Sequence, residues 1–148
     1  MHDRRQARIL AMQSLCQHEV LDESFLAQLD EFLADESPGA DVVDYARELV
    51  RDCEGRLEEI DAAIQGSAEH WDVKRMAAVD RNTLRVAVCE LLHRPDVPAK
   101  VAINEAVDIG KLFGTAESGG FINGVLDAVL KRRDQIAPDA QAPVSANP

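Results

Sequence analysis

Between Asp80 and His93 the chain reads DRNTLRVAVCELLH, and its apolar residues leave almost no side of a helix for water. Leu84, Val86, Ala87, Val88, Cys89, Leu91 and Leu92 cover most of the circumference, so other helices have to enclose this one on several sides. The neighbouring segments supply the stripes to do it. Over Arg4 to Val20, the residues Ala7, Leu10, Ala11, Ser14, Leu15 and His18 share one face. From Asp41 onward, Val42, Val43, Ala46, Leu49, Val50, Cys53, Leu57, Ile60 and Ile64 keep helical spacing. That pattern predicts one long helix with Gly55 as a tolerated weak point.

The remaining segments are shorter. Ser24 caps a predicted helix that runs to Leu33, and Glu36-Ser-Pro-Gly reads as a turn. Gly66-Ser67 loosens the long helix, and Trp71 is expected to anchor the link into the second half. Arg94-Pro-Asp-Val-Pro is a rigid break, with Pro98 at the start of the next helix. There Ala102, Ile103, Ala106, Ile109, Gly110 and Phe113 face inward, while Asn104, Asp108 and Lys111 face out. Ser118 reads as the N-cap of a last helix whose Ile122, Val125, Leu126 and Val129 point to the core. Residues 136–148 are rich in Ala and Pro and are expected to be disordered. No alternating strand pattern competes, so the fold class is all-α.

The net charge of −11 is unevenly spread. Residues 17–72 hold seventeen acidic against three basic side chains, whereas residues 1–16 carry +2 and residues 73–133 carry +3. Local patches govern phosphate contacts, so the total does not exclude RNA. Cys16, Cys53 and Cys89 form no CxxC pair and read as small hydrophobes in a reducing compartment. No uncharged run approaches the ~20 residues of a membrane span, which makes a cytoplasmic protein the expectation. Glu90 and His93 form one Glu-x-x-His, but a helical di-metal site needs two such motifs and further carboxylates. The Gly114 to Gly120 turn lacks the Lys and Ser/Thr of a phosphate loop. No metal, cofactor or catalysis is indicated.

With these segments laid out, Ile103 to Asp127, INEAV–x–x–x–K–x–FG followed by S–x–x–FINGVLD, resembles the NusB family of bacterial transcription antitermination factors. The helix from Asp80, the Val97-Pro98 connection and the opening Arg4-Arg5-Gln6-Ala7-Arg8 resemble it too. The likeness spans residues 4–133. It implies about seven helices in two small perpendicular bundles, residues 4–69 and 71–133, within one domain over 1–135. It also implies no enzymatic activity. Members bind the boxA element of ribosomal RNA leader transcripts together with NusE, a ribosomal protein, and help RNA polymerase read through terminators.

Carried onto this chain, the resemblance implies RNA contacts from Arg4, Arg5 and Arg8, from Phe121, and from Gly119 and Gly120 before it. A helix N-terminus also favours anions. Phe121 can offer its ring to a base or pin the turn against the core. Asp80 and Glu117 match acidic positions of the family, Asp80 on the NusE-facing surface. Cys16 stands where the family often has an aromatic, and Gly119-Gly120 where some relatives are basic or polar. Both departures imply weaker RNA affinity or greater dependence on NusE. The row Arg5, Ile9, Met12 and Cys16 allows two readings. Either a second layer of the protein covers it, or Met12 and Cys16 meet a partner, as in relatives whose homodimers cover the arginine helix. That second reading carries the alternative function of a protein-only, self-associating module. A similar domain also begins certain RNA methyltransferases, but no cofactor-binding domain follows here.

Overall fold

The computed structural model describes residues 2–21 and 39–136. These form α1 (His2–Leu21), α2 (Ala40–Gly55), α3 (Leu57–Ser67), a short 3-10 turn (Val73–Arg75), α4 (Ala78–His93), α5 (Ala99–Phe113), α6 (Ser118–Lys131) and the single turn α7 (Arg133–Ile136). No strand occurs among the described residues. The predicted helix from Ser24 to Leu33, the turn up to Pro38 and the tail from residue 137 lie outside them.

α4 takes the central place its sequence requires. It packs on α1, α2, α3, α5 and α6, and residues 82–84 and 86–92 are all buried. α1 runs antiparallel to it, with Arg8 beside Glu90 and Glu19 beside Arg81. Both faces of α1 meet protein, so Met12 is buried as fully as Leu10 and Leu15. Some acidic side chains of residues 17–72 pair with basic ones on and after α4. Glu48 and Asp52 on α2 hold Arg94 at 2.8 and 2.5 Å, and on α3 Asp61 holds Arg85 and Glu59 holds His93, each at 2.8 Å.

The predicted long helix is broken. It stops at Gly55, and Arg56 (φ −129°, ψ 27°) leaves helical geometry before α3 begins. α2 packs on α1 and α4, whereas α3 packs on α4 and α6, two courses that one straight rod cannot follow. The bend falls beside the residue with least helical preference. The link that follows is fastened by Gln65, not by Trp71. The Gln65 side chain accepts from the Val73 N–H (3.0 Å) and donates to the Trp71 carbonyl (2.6 Å). The Trp71 side chain, expected as an anchor, is instead 58% exposed. A buried indole needs a partner for its N–H, which this short surface link does not provide.

α5 and α6 approach closely because two glycines permit it. A Cβ at Gly110 would stand 2.5 Å from Ile122 Cδ1, and one at Gly114 would meet the Ser118 hydroxyl and stand 2.8 Å from the Gly110 carbonyl oxygen. Ser118 is not the N-cap of α6. It is the first residue of the helix, buried, and its Oγ accepts from the Thr115 N–H at 2.9 Å. Phe113, predicted inward, is exposed with Leu112 where α5 gives way to this turn.

Gly114→Ala is expected to cost about 1–3 kcal/mol by overpacking, read as a lower midpoint in urea. Acid should weaken the α1–α4 contact. Burial raises the Glu19 pKa, but Arg81 and Arg85 outweigh it and leave it below the ordinary 4.5. A depressed carboxylate stabilises the fold above its unfolded value, and that contribution is lost as pH falls through the folded one. Melting temperatures measured from about pH 5 down to about pH 3 should therefore drop less steeply for Glu19→Gln than for the parent chain.

Candidate nucleic-acid interface

The opening arginines differ in what they leave for a ligand. Arg8 is 4% exposed and lies against Glu90, itself 1% exposed. Its Nε is 2.9 and 3.0 Å from the two carboxylate oxygens, and Tyr45 donates its hydroxyl to Glu90 Oε2 at 2.5 Å. Burial first, and the Glu90 charge second, push the Tyr45 hydroxyl pKa up, so Tyr45 stays a donor. The expectation that Arg8 contacts RNA is therefore corrected. With 4% of it exposed, little of the side chain is left for a phosphate.

Arg5 is half-buried and held by two carboxylates, Glu105 at 2.9 Å and Asp108 at 2.6 Å. The hydrogen bond to Glu105 leads in raising its pKa. Arg4 is the most available of the three. It lies 4.1 Å above the Tyr45 ring and 3.6 Å from Asp96, whose side chain is largely exposed. On the same helix the structure corrects the partner-facing reading of Met12 and leaves Cys16 partly open. Met12 is in the core. Cys16 is half-buried, with Asn82 Nδ2 at 3.3 Å from its sulfur, and burial raises its thiol pKa. The protein's own second layer buries Met12 and partly covers Arg5, Ile9 and Cys16.

At the other end of α5 the turn is built by its own polar groups. The Glu117 N–H donates to Thr115 Oγ1 at 3.3 Å, and the Ser118 N–H donates to the Thr115 carbonyl at 3.1 Å. Gly119 is buried, and a Cβ there would sit 3.0 Å from Lys111 Cγ, so the lysine stem lies across it. Close packing under Lys111, rather than an open RNA contact, explains that glycine. Gly120 and Glu117 are exposed. Phe121 is half-buried, in the first turn of α6, and its ring meets Trp71 edge to face, with centroids 5.5 Å apart and planes at 70°. Asp80 is half-buried in the first turn of α4.

The arginines and this turn are not packed together. α6 packs on α3, α4 and α5, while α1 reaches α5 through Arg5 and Arg8. From Asp108 to Gly114 the offset along α5 is about 9 Å. Sequence reasoning missed Lys111 as a cation at the turn, although its place in the motif was visible. It also missed Glu90 as the partner of Arg8. A lone acid in the middle of VAVCELL was the available signal.

Among the described residues no group of three or more His, Cys, Asp or Glu side chains could hold a metal ion. An internal cavity of about 10 Å³ beside Arg8, Met12, Thr83 and Glu90 has room for about one water and no ligand. Exposed cations, a half-open aromatic ring and a helix N-terminus are the chemistry present, which suits a single-stranded nucleic acid.

The NusB family model matches residues 5–131. The chain is 46% identical over 129 residues to the transcription antitermination protein NusB of Desulfatibacillum aliphaticivorans, covering 87% of this chain and 90% of that protein. Among solved structures it is similar to T. maritima NusB, with a TM-score of 0.80, 40% identity and coverage of 86% of this chain and 90% of that one. It is also similar to a chain in a complex of antitermination factors NusB and NusE with dsRNA, with a TM-score of 0.80, 30% identity and coverage of 88% and 98%.

The two arginines should separate in denaturation. Arg8→Ala leaves Glu90 buried and unpaired and is expected to cost about 3–5 kcal/mol in urea unfolding. Arg4→Ala, at the surface, should cost less than about 1 kcal/mol. Equal midpoints for the two variants would refute the assignment of Arg8 to the core.

Proposed function

This chain belongs to the NusB family, and on that premise we propose that it is a transcription antitermination factor that binds single-stranded boxA RNA together with NusE. The match along residues 5–131, from Arg5 through the Phe121 turn, carries this reading. The family is one of antitermination proteins rather than enzymes. The same reading places the protein in the cytoplasm, where RNA polymerase complexes assemble. Among the described residues no helix is long and apolar enough to cross a membrane.

In this proposal Arg4 and the outer edge of Arg5 attract phosphates, and Phe121 offers a ring to a base. Gly120 keeps the approach to that ring open, since the space beside it is empty. Asp80 and Glu117 face the protein partner. Arg8 supports the site from beneath by fixing α1 against α4.

A gel shift with boxA RNA tests this. Binding should weaken as salt rises and tighten when NusE is added. Joint Arg4→Ala and Arg5→Ala should reduce the slope of log affinity against log salt by about 0.7 for each phosphate that is no longer neutralised. No shift at low salt with NusE present would sink the proposal.

A further inference from the structure

Trp71 is the only tryptophan in the chain and the largest side chain left exposed among the described residues. Its backbone is held, because its carbonyl accepts from Gln65 and its N–H donates to the Ala68 carbonyl at 2.9 Å. Its ring meets Phe121, and the 70° angle between the planes makes an aromatic corner. An edge-to-face contact uses the face of only one ring, and at 58% exposure the indole keeps flat surface open to solvent.

Three exposed cations are carried by the segments that form this corner. Lys74 and Arg75 follow on the 3-10 turn and are exposed, and Lys111 lies over Gly119, two residues before Phe121. Three carboxylates share this part of the chain: Glu69 is exposed, Asp72 Oδ1 accepts from the Lys74 N–H, and Glu117 Oε1 accepts from the Thr115 hydroxyl. Flat rings between cations are what a single strand requires, stacking for a base and charge for the phosphates on either side. A protein partner would favour a broad apolar patch ringed by polar groups, and this corner is narrow and lies among exposed charges that include three cations.

We propose that Trp71 and Phe121 form a two-ring platform for one RNA base, extending the RNA interface onto the link between α3 and α4, with Lys74, Arg75 and Lys111 serving the flanking phosphates. This rests on the reading that the chain binds single-stranded RNA. Phe121 supplies the fixed ring, rooted in the first turn of α6. Trp71 supplies the open face.

The single tryptophan makes the test direct. Single-stranded boxA RNA carrying a fluorescent end label is titrated into the full chain, with and without NusE. RNA anisotropy and indole emission are followed together, with Trp71→Phe as the blank for any other indole. Emission should be quenched in step with the anisotropy rise. Trp71→Ala should weaken binding roughly 5- to 100-fold, while Trp71→Phe should stay within about threefold of the parent. Both variants should melt like the parent, since the ring is exposed. If Trp71→Ala proves unstable, the quench and Trp71→Phe still decide. RNA binding with steady emission and unchanged Trp71→Ala affinity would overturn the platform and leave the RNA-binding reading intact. No anisotropy change for the parent chain, even with NusE, would overturn both. An emission shift with NusE alone, unaltered by RNA, would assign the ring to the protein partner and overturn the platform.

Discussion

The fold depends on one buried contact, the Arg8 guanidinium against the Glu90 carboxylate with the Tyr45 hydroxyl completing it. Each ion alone would be costly in this interior, and together they fix three helices in one register. Arg8 comes from α1, Glu90 from the central α4 and Tyr45 from α2. Apolar stripes tolerate small slips along a helix, whereas an ion pair in which one Nε–H is shared between both carboxylate oxygens, with a hydroxyl on one of them, does not. The same contact orders the surface above it, because Tyr45 presents its ring to Arg4.

This arrangement divides the basic residues by task. Arg81, Arg85 and Arg94 on and after α4 are occupied by carboxylates from α1, α2 and α3, so Glu19, Glu48, Asp52 and Asp61 of the acidic stretch are matched where they meet α4 and the residue that follows it. Burial works against the Arg94 charge, yet Glu48 and Asp52 more than offset it, and the guanidinium stays ionised. Among the cations left exposed are Arg4, part of Arg5, and Lys74, Arg75 and Lys111 on the segments around the aromatic pair. A chain of net charge −11 can therefore still present basic ground to RNA.

The functional site was legible unevenly. Phe121 and the glycine turn stood out because the motif is long, and the structure places the ring half-buried at the surface. Arg4, Arg5 and Arg8 read as one basic cluster because spacing along a helix gives relative angles only. Nothing in RRQAR says that Arg8 will face an acid 82 positions away. Met12 was ambiguous for the same reason, since a second apolar row on a helix fits a hidden layer or a partner equally well. Trp71 was misjudged because a large apolar residue in a link usually packs inward, and here Gln65 had already fastened the backbone.

The sequence by itself determined the all-helical class, the central place of Asp80–His93, the positions of most helices and membership of the family, because periodicity and ordered motifs are local properties of the chain. Only the tertiary structure decided where the predicted long helix bends, which arginine is buried, what covers the second row of α1, and that Trp71 and Phe121 meet. Each of these depends on which faces of different helices come together. That choice is made by packing and by the need to pair buried charge, across separations that no local pattern encodes.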